Sequence, residues 1–514
     1  MSAQYVLLSK RENQARGIGQ YAIDFLNGRL GKPAETVLAR VEQFHLDSVA
    51  CAVAALAVNA NAPYVLREEA LGYRDPSGAV CFGSVVHVAP EKAVVANCSA
   101  VREFDANGTN FGYNPRSGYT RGEFGHNDFY PVVIAAASIR NADGRTALLG
   151  MLCLDEIRGR LAEVFGLKDH KIDHVLHGAI ASAAVYGAML GASAEQIESA
   201  IGLVVSHYVP FRAIRHGEQL SDSKGASAAI SAEVAVLSIR RAMWGFVGPA
   251  DIFRNPQGVF CLFEPPHEKG TSPFDLELAA GGDDFAVMGM HFKLGLYEHQ
   301  SAGAIEGLIK LIDEQPGLVA DPSAIERIGI TIYEPAFSII GDPHKRDPRT
   351  RQSADHSMVY IVGTLVRKAA EERSQKSEVR SQKSLWERLM LMPEDFGDVA
   401  LVHPVTRGLM ERIDFRHGGA EYDAKYPDGI PTSVEIEHKT LGTLSSGLVM
   451  YPEGHARNAS GNLASLLEHK FARLAGLGVR DAVGLKERMS NLEGKSAAAI
   501  RDLYNFEIDH VRPA

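Results

Sequence analysis

The sequence predicts a mainly α protein with a smaller α+β unit set into its second half. Three observations carry this. Apolar residues recur at helical spacing through roughly the first 260 residues. Strict apolar–polar alternation appears only after about residue 265, beyond the turn-rich "EPPHEKGTSPFD". Helical spacing then returns from Asn462 onward.

Taken in order, Ala15, Ile18, Ala22, Phe25 and Leu26 mark a first helix, and Val37, Leu38, Val41, Phe44 and Val49 a second. Ser48 to Leu66 and Val175 to Ala194 lack Asp, Glu, Lys and Arg, but both are rich in Ala, Gly, Ser and Val. Helices buried in a protein core fit them better than membrane spans, because small residues let backbones approach closely. Ser193, with Gln196 three residues on, is a capping box opening "AEQIESAIGLVVSHY". "SKGASAAISAEVAVLSIRRAM" is a long Ala-rich helix ending near Trp244–Gly245. In the second half, Ile328, Ile330 and Ile332 alternate with Gly329, Thr331 and Tyr333, as Val434 and Ile436 do with Glu435 and Glu437. "GTLSSGLVMYPEGH" reads as a further strand. "SAGAIEGLIKLIDE", "HSMVYIVGTLVRKAAEE" and, later, "LASLLEHKFARLAGL" read as helices. The near-repeat "RSQKSEVRSQKS" (373–384) is charged and apolar-poor, so it reads as an exposed loop or solvated helix end.

A chain of 514 residues suggests two to four domains. The net charge of −10 argues against a nucleic-acid binder, though not against a basic pocket for an anionic metabolite. Cys51, Cys81, Cys98, Cys153 and Cys261 form no C-x-x-C pair, which argues against a disulfide scaffold, structural zinc or an iron–sulfur cluster. With no signal-like apolar run at the N-terminus, the expected compartment is the cytoplasm, with no membrane partner.

Three polar clusters and two lesser basic sites are candidates for chemistry. "REFDANGTNFGYNPRSGYTRGEFGHNDF" holds Asp105, Thr109, Glu123, His126 and Asp128 just before an apolar helix; read blandly, it is a loop with an N-cap at Asn127 or Asp128. "KDHKIDHVLHG" places His174 and His177 on one helix face, a spacing that serves a metal only with a third ligand. Arg212, Arg215, His216 and Lys224 gather before a small-residue helix, as carboxylate or phosphate binding requires. Lys293 in "HFKLGLYEHQ" is a further basic candidate, and "DPHKRDPRTRQSADH" (342–356) reads as a basic solvated face.

At these clusters the sequence resembles the MmgE/PrpD family, which includes 2-methylcitrate dehydratase, cis-aconitate decarboxylase and iminodisuccinate epimerase. The resemblance rests on "VREFDANGT" with "GHND", "IDHVLHGAIASAAVYGAMLGAS", "SDSKGASAAISAEVAVLSIR", "RQSADHSMVYIVGTLV" and "YPEGHARN", in family order from about residue 45 to 470. It implies a large all-helical domain (1–268 plus 455–514) with an inserted α/β lid (269–454). It also implies a homodimer and an active site between the two domains.

The resemblance places Asp105 and Thr109 on an active-site loop, His126 on a catalytic histidine and His174 on a second pocket histidine. Lys224 and Lys293 fall on pocket lysines and Tyr360 on a pocket tyrosine. Two departures touch the site: the stretch between Thr109 and His126 is longer than usual, and "LGLYEHQ" stands after Lys293 where a Tyr-Pro is usual.

The chemistry so implied is a cofactor-independent, metal-free lyase acting on a small di- or tricarboxylate, foremost dehydration of 2-methylcitrate. Such a reaction builds charge beside a carboxylate, so it needs cations (Lys224, Lys293, Arg215) and a proton carrier titrating near neutrality. His126 is cast as acid/base and His174 as its partner. Asp105 is the orienting group, Thr109 a substrate contact and Tyr360 a proton relay. The alternatives are a decarboxylase of cis-aconitate or an imino-diacid epimerase on the same fold, a carboxylate binder without catalysis, and, most distantly, a metal hydrolase built on His174 and His177.

Overall fold

The computed structural model describes residues 4–374 and 383–509. Most of the charged near-repeat at 373–384 lies outside them.

The first part of the chain is a layered helical body. Its helices are α1 (Gln14–Leu26), α2 (Glu35–Ala57), α3 (Asn61–Leu71), α4 (Pro90–Arg102), α5 (Tyr130–Arg140), α6 (Gly144–Val164), α7 (Val175–Leu190), α8 (Ala194–His207) and α9 (Ser223–Met243). At the centre α7 packs on α5, α6, α8 and α9. Small residues make this possible: a Cβ on Gly178 would lie 2.1 Å from the Phe129 ring, and one on Gly187 would lie 2.8 Å from Ile239. Ser193 and Gln196 form the predicted capping box at the start of α8. The apolar run Ser48–Leu66 is divided between α2 and α3, which meet at 89°. Together that bent pair has the length and apolar composition of a broken span, but among the described residues no single helix is long and apolar enough to cross a membrane. Most of α2 from Phe44 onward is buried.

The small α/β part contains a four-stranded sheet in the order Ile413–His417, Ile325–Ile332, Thr432–His438, Gly442–Ser445. The first pair is parallel and the others antiparallel. Ile328, Ile330, Ile332, Val434 and Ile436 are buried, as their alternation predicts. The helix Ala302–Glu314 packs on this sheet and on the helix Met358–Ser374.

Three details differ from the sequence reading. The strand Leu276–Gly281, drawn into the lid at residue 269, instead pairs antiparallel with Gln4–Leu8 and packs on α6 of the helical body. "GTLSSGLVMYPEGH" is a strand only over Gly442–Ser445, because Gly447 turns the chain at φ +66°; it rejoins the sheet through a bridge from Val449 to Thr432. The N-cap of α5 is Phe129, with no side-chain bond. Asp128 instead accepts from Asn107 Nδ2 at 2.6 Å and lies 3.7 Å from Arg102. After residue 455 the chain returns to the helical body, where the helix Leu463–Ala475 packs on α2.

Candidate active site

A cavity of about 750 Å³ is lined from both parts of the molecule. The helical side contributes Asp105, Thr109, His126, His174, Arg212 and Arg215, and the α/β side contributes Glu298, His299, Lys345 and His356.

Asp105 follows the end of α4 and is 1% exposed. It is the hub of an ion-pair network. Arg102 Nη1 donates to its Oδ1 at 3.1 Å, Lys293 Nζ donates to the same oxygen, and His356 Nδ1 reaches Oδ2 at 2.9 Å. Burial alone opposes ionisation, but Arg102, Lys293 and His356 outweigh it and hold the carboxyl well below its usual range. A second carboxylate, Asp355, accepts from Lys224 Nζ at 2.6 Å and from Arg351 Nη1 at 3.0 Å. Burial and the adjoining cations Arg102 and Arg351 bring Lys224 down to about 8, against the pull of Asp355 and Asp105.

His126 sits where the two-residue strands Thr109–Asn110 and Gly125–His126 pair. Thr109 Oγ1 donates to the Gly125 carbonyl at 2.8 Å, so its hydroxyl proton secures the turn that carries His126. Lys293 Nζ lies 3.4 Å from His126 Nδ1. The His174 ring meets that of His126 edge-on, with centroids 4.9 Å apart. Burial, then Arg102, Lys293 and His174, keep His126 well below the usual imidazole range. Burial likewise keeps His174 well below the usual range, against the pull of Asp173, whose Oδ1 lies 3.3 Å from Nδ1; among the described residues its buried Nε2 has no hydrogen-bond partner. A pair of neutral imidazoles beside a lysine and a carboxylate offers acceptor and donor nitrogens for proton transfer to and from a bound molecule.

The structure thus brings together Asp105, Thr109, His126, His174, Lys224 and Lys293. Arg215 lines the cavity, but its guanidinium is forked onto Asp173, with Nη2 3.1 Å from Oδ1. Tyr360 is not brought to the cavity: its hydroxyl donates to the Asp395 carbonyl at 2.8 Å, and its ring packs near Phe396. His177 is buried in α7, and burial pushes it down to about 3. Among the described residues, the group of His, Asp and Glu side chains that converges closely enough to suit a metal is Asp105, Asp355 and His356. Lys224, Lys293, Arg102 and Arg351 already neutralise those carboxylates, so this donor set is poorly suited to a cation.

Sequence reasoning missed Arg102, Asp355, His356 and Lys345 as individuals. The last three lie in 342–356, read as a basic surface. Only part of it is: Arg349 is exposed, whereas Lys345 and His356 line the cavity and Arg351 binds Asp355 and Glu103. The Asp-His pair inside a basic stretch was the available signal.

Fold and site together define a class: a mainly helical protein with a small α/β part that closes a cavity over paired histidines, lysines and carboxylates. The chain belongs to the MmgE/PrpD family, whose N-terminal domain matches residues 25–271 and whose C-terminal domain matches 297–490. It is 24% identical over 418 residues to the 2-methylcitrate dehydratase of Salmonella typhi, covering 78% of each chain. It is 26% identical over 375 residues to the mitochondrial 2-methylcitrate dehydratase of Yarrowia lipolytica, covering 71% of this chain and 64% of that one. With the 2-methylcitrate dehydratase of Escherichia coli K12 it shares 24% over 337 residues, 64% of each chain.

Proposed function

We propose that this protein is a hydro-lyase of the 2-methylcitrate dehydratase type, removing water from a small polycarboxylate by histidine acid–base chemistry. The observation that carries this reading is His126 held between Lys293 and His174 beside the ionised Asp105. The relatives named above support the reaction class.

Elimination of water needs a base for the proton on the carbon next to a carboxylate, and an acid for the departing hydroxyl. His174, with Nδ1 3.3 Å from Asp173 Oδ1 and Nε2 unpartnered among the described residues, is the base, acting through Nε2. His126 receives Lys293 at Nδ1, so its other nitrogen carries the proton and faces the acid's task. As the C–H pair becomes the double bond, hydroxide leaves and takes that proton as water. Lys293 restores the proton through Nδ1. Asp105 fixes Lys293, and Lys224 with Asp355 sets the field beside it.

The test is the ultraviolet absorbance of the conjugated acid formed from 2-methylcitrate, with citrate and cis-aconitate as separate substrates. His126→Ala is expected to lower kcat by about 10²–10⁴-fold. Release of carbon dioxide from cis-aconitate, with no dehydration, would instead make the protein a decarboxylase. Because protein cations occupy the Asp105–Asp355–His356 donor set, activity is expected to survive exhaustive chelation. The homodimer implied by the family resemblance is part of the proposal and is tested by sedimentation equilibrium.

A further inference from the structure

The cations around the cavity fall into two kinds. Arg102, Lys224, Lys293, Arg215 and Arg351 are each within ion-pair distance of a carboxylate. Lys171, also on the cavity lining, is exposed to solvent; the other two, Arg212 and Lys345, have no such carboxylate among the described residues. Both line the cavity, yet among the described residues neither guanidinium nor ammonium makes a side-chain hydrogen bond or ion pair, and Arg212 Nη1 is buried with no partner there.

They face each other across the two parts of the protein. Arg212 opens the turn Arg212–Arg215 before α9, and Lys345 lies in the turn Pro343–Arg346 of the α/β part. Burial lowers both, and each repulsion counts: Arg215 weighs on Arg212, and Arg212 on Lys345. The acids pulling the other way are Asp173, Glu123 and Asp169 for Arg212, and Glu298, Asp342 and Asp105 for Lys345, Asp105 being already held by Arg102 and Lys293. Asp173 is committed to Arg215, Glu123 to the backbone amides of Phe124 and Lys168, and Asp342 to His344. Burial pushes Glu298 up to about 7, so near neutral pH it is in part uncharged. Two partly desolvated cations without partners, one from each side of a cleft, call for an anion between them.

We propose that Arg212 and Lys345 form a distal carboxylate subsite, bridged by the substrate, that selects a tricarboxylate over a dicarboxylate. This rests on the dehydratase reading for its substrate class, but not for its geometry. One end of the substrate lies at His126 and His174, and the far carboxylate joins the helical body to the α/β part. A cavity of about 750 Å³ has room for both.

The test is calorimetric binding to the purified full chain, which needs no turnover. The probes are propane-1,2,3-tricarboxylate and glutarate. The wild type is expected to favour the tricarboxylate by about tenfold or more, the worth of a hydrogen bond to a charged group. Arg212→Gln and Lys345→Gln are each expected to weaken the tricarboxylate by about tenfold while moving glutarate by less than about threefold. Lys345→Arg, which keeps the charge, should restore the preference, and thermal melts confirm that each variant folds. Absence of any tricarboxylate preference in the wild type overturns the proposal. So does a variant that leaves the preference intact or loses both ligands equally. If 2-methylcitrate is not dehydrated but the preference collapses in the variants, the dehydratase reading fails and the subsite stands.

Discussion

Lys224 shows how much of this site depends on burial. A lysine on the surface keeps its charge far into alkaline pH, but this one is fully enclosed and loses its proton at about 8. Below that value the ammonium holds Asp355 and adds positive potential beside Asp105. Above it the amine is neutral, and the charge beside Asp355 comes from Arg351, with His356 Nδ1 at 3.0 Å. The expected outcome is a kcat/KM that falls as pH rises through about 8, by up to tenfold per unit, while the protein stays folded. A profile that is flat to well above that pH would remove Lys224 from the site's electrostatics. Sequence could nominate Lys224, because a basic residue opening a small-residue helix is conspicuous. It could not show that Lys224 and Arg215 already hold carboxylates, because Asp355 lies 131 residues away from Lys224 and Asp173 lies 42 away from Arg215.

Among elements, α7 and α8 separate stability from function. Ser193 caps α8 through its own side chain and that of Gln196, far in the chain from the catalytic turn. Ser193→Ala should cost about 1 kcal/mol in urea denaturation and leave kcat unchanged. Gly178 instead lies one turn into α7, with its α-carbon against the Phe129 ring, and α7 begins at the residue after His174. Gly178→Ala should cost about 1–3 kcal/mol and also lower kcat, because overpacking there displaces the helix that presents His174. Equal kinetics for the two variants would show that α7 does not set the position of His174. The capping box, the small-residue packing and the Ile alternation were all legible in sequence, because each is a local pattern with one dominant solution. The pairing of Leu276–Gly281 with Gln4–Leu8 was not. A register joining strands about 270 residues apart leaves no local trace, so the sequence held no sign that this strand pairs with the N-terminal one. Tyr360 failed similarly: its motif was visible, but the side-chain direction that sends its hydroxyl to Asp395 was not.

At the scale of the molecule, one buried lysine connects three distant segments. Lys470, on the helix Leu463–Ala475, is 1% exposed and pairs with Asp47 of α2. The same ammonium donates to the carbonyls of Ala106 and Lys293 at 2.6 and 2.7 Å. Those carbonyls belong to the residue after Asp105 and to the lysine that Asp105 holds. The end of the chain therefore fixes the backbone on both sides of the central ion pair, from behind the cavity. Removing the charge strands Asp47 and two buried carbonyls at once, a loss the surroundings cannot repair with water. Lys470→Met is expected to cost about 3–5 kcal/mol in equilibrium unfolding. Adding Asp47→Asn should recover part of that cost, because the stranded charge goes with its partner, and a double-mutant cycle would measure the coupling directly. If the tie also positions the site, the double variant will regain stability while kcat stays low, since the Ala106 and Lys293 carbonyls still lack their donor. Recovery of kcat together with stability would reduce Lys470 to a structural pair with Asp47, and leave the placement of Asp105 and Lys293 to the helical body alone.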